Sequence, residues 1–230
     1  MSIRKVSFKN GEYYHIYNRG VDKRNIFGDK NDLWRFIKGI LIFNRNKIVG
    51  SIRNEIGRSK ASVNIDFKKL VEESGGLVEF VAICLNPNHY HFLVKQVSDD
   101  GTSKFMHKLG TGYTKHINER ENRSGVLFQG KFKAKLIETN DQLLYTSAYI
   151  NMNPEIHGIS GESLELVFSS MDEYAGKNKI MNICKGKNVV LDQFKDFKSY
   201  EKFAREVAIK ARKLKEEKNL EEDFKKEHLE

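Results

Sequence analysis

Two short stretches of this chain carry side chains whose types and spacing suit chemistry on a phosphodiester. The first is His89-Tyr90-His91. On a strand, residues two apart project to the same face, so both imidazoles stand together while Tyr90, Phe92 and Val94 turn toward a core. Two imidazoles on one face can bind a divalent cation. They can equally be two ordinary polar residues on a surface strand. The second stretch places Tyr145, Tyr149 and Asn153 at i, i+4 and i+8, one face of a helix. A tyrosine hydroxyl with a pKa near 10 is only about 0.1% ionised at neutral pH, so it suits a demanding attack such as one on a phosphodiester. A metal that polarises the phosphate would compensate, and the product would be a covalent intermediate. The plain alternative is aromatic packing with an Asn near a helix end. Tyr113, on a basic helix, is a competing nucleophile. It ranks second because the residue four positions on is Ile117, which cannot reach a metal.

Elements of alternating period must position these groups. Residues 12–19 are rich in β-formers and end at Gly20, which predicts a strand. Apolar residues at 33, 36, 37, 40, 41 and 43 predict a helix over Asp32 to Arg45 behind Asn31 as cap. Residues 46–76 are weakly patterned and read as a variable insertion, with a short helix near Phe67 to Glu73. Residues 77–86 form the clearest strand, Asn86-Pro87-Asn88 a turn, and His89 to Val97 the returning strand of a hairpin. A helix over 102–120 follows, then a strand from Lys131 to Ile137, whose Lys131, Lys133 and Lys135 share one face. A helix capped by Thr139 or Asn140 then runs through Asn153, where Pro154 disfavours continuation. The order β-α-β-β-α-β plus a helix is the α+β, ferredoxin-like arrangement: helices cover one face of an antiparallel sheet and leave the other open for a site. Residues 1–175 form this domain. From 176 to 230 the chain changes to a short apolar piece and a mixed Lys/Glu helix, a small helical extension expected to be a solvated face or a packing arm.

The charge distribution points to a phosphate-bearing partner. Lys and Arg number 40 against 31 Asp and Glu, a formal net charge of +9. The excess sits in two segments, 1–60 and 101–137; the second holds eight basic and two acidic residues. Clustered basic side chains displace condensed counterions from nucleic acid, although a solvated basic surface has the same composition. No apolar run approaches the roughly 18 residues of a membrane span. The polar, basic start is unlike a secretory signal, and two cysteines, Cys84 and Cys184, make neither a disulfide framework nor a four-cysteine zinc site. A cytoplasmic protein without membrane contact is expected.

Three phrases taken together are more specific than either constellation alone: Leu85-Asn-Pro-Asn-His-Tyr-His-Phe-Leu-Val94, Arg123-Ser-Gly-Val-Leu-Phe-Gln-Gly-Lys-Phe-Lys133 and Tyr149-Ile-Asn-Met-Asn-Pro154. In this order they resemble the single-tyrosine, His-hydrophobic-His transposases, in the branch called REP-associated tyrosine transposases, over roughly residues 8–175. Tyr90 departs from a plain aliphatic at the middle position. The resemblance implies a metal-dependent endonuclease and strand transferase acting on single-stranded DNA near hairpins. It implies Tyr149 as nucleophile, a 5′-phosphotyrosine intermediate, and Mg²⁺ or Mn²⁺ held by His89 and His91 with Asn153 as third partner. It suggests that the end of the first strand, Asn18 and Arg19, reads DNA. Lys115, Arg120, Arg123, Lys131, Lys133 and Lys135 are expected to hold the DNA, the three strand lysines beside the metal. The imidazoles must be neutral to bind metal, so activity is expected to fall below about pH 6, near their ordinary pKa. A monomer or homodimer would serve. A domesticated, non-catalytic hairpin-binding regulator is the rival reading, and a replication initiator or relaxase would share the chemistry in a larger chain.

Overall fold

The computed structural model describes residues 6–46, 69, 72–177 and 182–227. Most of the insertion at 46–76, including most of the short helix expected near Phe67 to Glu73, lies outside the described residues. The order of elements begins β1 (Tyr13–Arg19), α1 (Lys30–Phe43), β2 (Val78–Asn86), β3 (His89–Gln96), α2 (Gly101–Arg120), β4 (Lys133–Ile137) and α3 (Asn140–Asn151). After these come α4 (Asn153–Ile156), β5 (Phe168–Ser169), α5 (Met171–Tyr174), α6 (Asn188–Leu191) and a long α7 (Phe197–Glu227). The strands form one antiparallel sheet in the order β4-β1-β3-β2-β5. The chain has the α+β, ferredoxin-like fold expected.

Local chemistry sets the boundaries. The cap of α1 is Asp29 rather than Asn31: its carboxylate accepts from the Asp32 backbone N–H at 2.9 Å, and helix therefore begins at Lys30. Asp32 itself is buried and accepts from the Gly28 N–H at 2.8 Å, which fixes the entry of the chain. Thr139 caps α3 by accepting from Gln142 N–H at 3.2 Å. In β2 the register against β3 shifts between Phe80 and Ala82. This bulge places Val81 and Ala82 successively on one side, so that Val78 and Phe80 before it and Ile83 and Leu85 after it all reach the same core.

Two cores flank the sheet. On one side Tyr14, Ile16, Tyr90, Phe92 and Val94 pack beneath α1 and α2. On the other side Cys84, Leu93, Ala148 and Ile150 pack with Tyr200, Ala204, Val207, Ala208 and Ala211 of α7. The second face is thus covered in part by α3 and α7, and it stays open only toward β1 and β4. Over residues 197–217 the C-terminal helix is a packing arm: most of its Lys and Glu residues are exposed, and Tyr200, Ala204, Val207, Ala208 and Ala211 form its buried stripe. Cys84 and Cys184 are both buried and unbridged.

Candidate active site

The hairpin turn and the odd positions of β1 build the site. Tyr17 pairs with His91 and Arg19 with His89 across the β1–β3 ladder, so His15 and Tyr17 project on the same side as both imidazoles. His15 Nε2 lies 2.9 Å from His91 Nδ1, with their rings stacked at 5.1 Å between centroids. Tyr17 stacks on His91 from a neighbouring position at 5.7 Å. The His89 and His91 rings stand 5.3 Å apart and nearly perpendicular. From the second layer, α3 brings Tyr149 edge-on to His91 at 5.7 Å and to His15 at 6.3 Å. The helix breaks at Met152, and Asn153 follows in the first turn of α4, fully buried. Its Oδ1 lies 2.9 Å from His89 Nε2 and accepts from Asn86 Nδ2 at 2.6 Å.

The donor set fits a divalent cation. Asn88 Oδ1, an acceptor, sits 2.6 Å from His89 Nδ1, so that nitrogen carries the proton and Nε2 presents a lone pair. The lone-pair atoms His89 Nε2 and Asn153 Oδ1 therefore converge, while Asn153 Nδ2 is buried with no partner. In the structure Asn86 Nδ2 donates into that convergence, 2.9 Å from His89 Nε2 and 2.6 Å from Asn153 Oδ1, and a cation with nitrogen and oxygen ligands would take its place. Among the described residues no three His, Cys, Asp or Glu side chains cluster as a ligand set. The available set is two imidazoles and an amide oxygen, without a carboxylate.

Burial keeps the imidazoles neutral. It holds His91 well below 6.5, helped by His15, His89 and His157, and lowers His89 against the opposing pull of Asn153 Oδ1, which accepts from the protonated ring. His15 falls to about 4 through burial and the Lys135 charge, and His157 to about 3 through burial, His89 and Lys215. Burial also raises the Tyr149 hydroxyl, opposed by the Asn153 side chain. The tyrosine is therefore protonated at neutral pH and loses its proton only in attack.

The residues expected at the site separate into three groups. His89, His91, Tyr149 and Asn153 come together, with Arg19 at the end of β1 beside His89, its Nε donating to Gln129 Oε1 at 2.7 Å. Lys133 and Lys135 lie on this side too, opposite Tyr17 and His15 in the β1–β4 ladder. Lys131 does not: the strand starts at Lys133 and Gly130 takes a positive φ of 72°, so the alternation stops before Lys131. Lys131 lines a groove of about 1190 Å³ between α2 and residues 121–132, with Lys115 and Arg123. Asn18 is buried at that groove, its Nδ2 donating to the Gly130 carbonyl at 3.2 Å. Arg120 is an internal clamp, paired with the buried Asp32, with Asp29 at 3.8 Å and with Glu121 at 2.9 Å. Arg123 pairs with Glu121 at 3.5 Å and donates to the Val126 carbonyl at 2.9 Å. The competing Tyr113 lies in the first core, donating to the Ile26 carbonyl at 2.7 Å, and its hydroxyl is pushed far up by burial.

Sequence reading missed His15, Tyr17, Asn86, His157 and Lys215. The parity of β1 and its pairing beside the His strand would have found the first two. Asn86 stands within the quoted hairpin phrase. Nothing local marks His157 or Lys215, which meet at 3.1 Å between Nδ1 and Nζ. A cavity of about 750 Å³ connects Tyr149, His15, His91 and His157, with Lys135 and Lys215 as its charged lining residues.

A half-buried tyrosine, two imidazoles and a buried amide thus stand together on one side of a five-stranded antiparallel sheet. Residues 44–153, nearly half of the chain, are similar to the family model described as "Transposase IS200 like". His89, His91, Tyr149 and Asn153 all fall within the match. The fold is similar to a solved structure described as a REP associates tyrosine transposase bound to a REP hairpin. That match has a TM-score of 0.51 at 15% identity and covers 80% of this chain and 90% of that one. A search of curated proteins gives no significant match. Among the described residues no helix is long and apolar enough to cross a membrane.

Proposed function

We propose that this protein cleaves and rejoins single-stranded DNA at hairpin-associated sites, with Tyr149 as the nucleophile. One observation carries the reading: Tyr149 of α3 and Asn153 of α4 converge on His91 and His89 at the start of β3, and Tyr149 and His91 line one cavity. Tyr149 Oη forms the bond to phosphorus as the P–O3′ bond breaks. The product is a 5′-phosphotyrosine and a free 3′-hydroxyl, which takes up the proton that tyrosine gives to solvent. Attack by a second strand's 3′-hydroxyl reverses these bonds.

His89 Nε2, His91 and Asn153 Oδ1 would hold Mg²⁺ or Mn²⁺, which when bound supplies Lewis-acid polarisation of the scissile phosphate. His15 fixes the orientation of His91 through its Nδ1, and Asn88 fixes the tautomer of His89. The hydroxyl of Tyr149 is kept beside His91 by its packing on α3. Arg19, Lys133 and Lys135 neutralise backbone phosphates, a positioning role, because phosphoryl transfer is catalysed mainly by placement and charge. All these groups come from one chain, so a monomer contains a complete site. The structural neighbour's bound REP hairpin supports hairpin DNA as the substrate class.

The test is incubation of the protein with hairpin-bearing single-stranded DNA and Mn²⁺, followed by denaturing electrophoresis. A covalent adduct linked to the 5′ side of the break is expected. Hairpin binding without any adduct, across both metals, would favour a non-catalytic regulator.

A further inference from the structure

We propose that Lys215, on the C-terminal helix, is a phosphate-binding residue of the active site, its ammonium contacting the phosphate at the cleavage position. The inference deepens the proposed function and rests on it. Residues 200, 204, 207, 208 and 211 of α7 are buried and spaced three or four apart, so they form one stripe against α3. Position 215 continues that stripe by one more step of four. Packing alone would favour an apolar residue there, yet the chain places a lysine where the helix passes over the cavity.

The placement is rigid. Tyr200 Oη accepts from Asn151 Nδ2 at 2.7 Å, and Asn151 follows Tyr149 by two residues on α3. Arg212 donates to the Glu155 carbonyl just beyond Asn153. The helix that carries Lys215 is thus bonded once to α3, which carries the nucleophile, and once to α4, which follows it. Lys215 Nζ reaches His157 Nδ1 at 3.1 Å, and the His157 ring lies 4.5 Å from that of His89. An ammonium only donates, so His157 accepts on Nδ1 and does not neutralise the charge.

Among the described residues none that lines the cavity is acidic. Its charged lining residues are Lys135, from β4, and Lys215, from α7. Among the described residues neither has a carboxylate within ion-pair distance. Two unpaired ammonium groups from different elements beside neutral imidazoles make a seat for an anion, and a backbone phosphate supplies that charge.

The experiment uses full-length Lys215→Gln and Lys215→Arg, with Lys210→Gln on the exposed side of α7 as control. Single-turnover cleavage of hairpin DNA at saturating concentration should fall about tenfold or more in Lys215→Gln, recover in Lys215→Arg and stay unchanged in Lys210→Gln. Thermal unfolding should be unaltered in all three. In a Tyr149→Phe background without divalent cation, Lys215→Gln should also flatten the slope of log affinity against log salt by about 0.7, one phosphate contact on a single strand. An unchanged rate and slope would refute the proposal. So would faster cleavage by Lys215→Gln, which would mean that α7 only obstructs the cavity. If the unmodified protein forms no adduct with any hairpin, the proposed function fails, and the salt slope alone decides whether Lys215 binds phosphate.

Discussion

Lowering the pH separates a buried histidine site from an exposed one. Unperturbed imidazoles near 6.5 would be only about 10% neutral at pH 5.5, and two ligands together about 1%, so adduct formation would drop about a hundredfold. In this structure burial lowers both His89 and His91, and His15 behind them to about 4. More of the site therefore stays neutral, and the single-turnover rate should lose clearly less than about a hundredfold between pH 7 and 5.5. The expectation from sequence, a fall below about pH 6, moves to more acid values. Each of these groups binds its proton more weakly folded than unfolded, so unfolding gains protons as the pH drops. Stability is full above about 6.5 and is lost below it. For His15 the fall to about 4 is equivalent to roughly 3 kcal/mol by pH 4. The acid limit of activity should then coincide with loss of structure. The assay pairs adduct formation with near-UV circular dichroism from pH 8 to 4. A tenfold loss of rate between pH 7 and 6 with an unchanged spectrum would refute the reasoning.

Tyr149→Phe should fold and bind hairpin DNA but form no adduct, whereas Tyr113→Phe should keep the adduct and lose about 1 kcal/mol of stability by abandoning the Ile26 carbonyl, read by denaturant unfolding. Adduct formation by the first and not the second would reverse the assignment. Arg120→Ala should destabilise by about 3 kcal/mol, because it strands the buried Asp32 carboxylate between α1 and α2. A change in DNA salt slope with unaltered stability would instead make Arg120 a phosphate ligand. Changing Lys133 and Lys135 together to Gln should flatten the salt slope by about 1.4 and weaken every hairpin alike, measured by fluorescence titration over a salt series. Lys131→Gln, on the opposite groove, should leave the cleavage rate of bound DNA unaltered in the same series.

What was legible in the sequence followed from period and parity. The alternation in His89 to Val94 placed the imidazoles on one face and Tyr90, Phe92 and Val94 in the core, as the structure has them. The four-residue spacing of Tyr149 and Asn153 survived a break in the helix, because Pro154 sits in the first turn of a short new one, where its missing N–H is harmless. Parity misled at Lys131, where a glycine with positive φ precedes the strand and resets the direction of the side chains. The Asp29 cap escaped notice because Asn31 is as good a cap by residue type, and only the inward turn of Asp32 distinguishes them. The two-residue β5 carries too little pattern to be seen, and its place beside β2 rests on a buried serine. Ser170 Oγ accepts from Ile83 N–H at 3.0 Å, a contact between residues 87 positions apart.

The asparagines at 151 and 153 show why the remainder had to come from three dimensions. On a helical path, residues two apart face nearly opposite ways. Asn151 turns to the outer layer, where it accepts from Ser170 Oγ at 2.5 Å and donates to Tyr200 of α7. Asn153 turns to the sheet, where it meets Asn86 and His89. The end of α3 is thus held from both sides, two and four residues beyond Tyr149. Neither asparagine is exposed, and both sit where polar groups are expensive unless bonded. Such bonding locks the register of the nucleophile against the imidazoles far more tightly than apolar contact would, since a slip by one residue would leave several buried polar atoms unpaired. The long C-terminal helix is part of that lock through Tyr200. A sequence ordinary in its Lys/Glu pattern therefore contributes to the geometry of a site lying some fifty residues earlier in the chain.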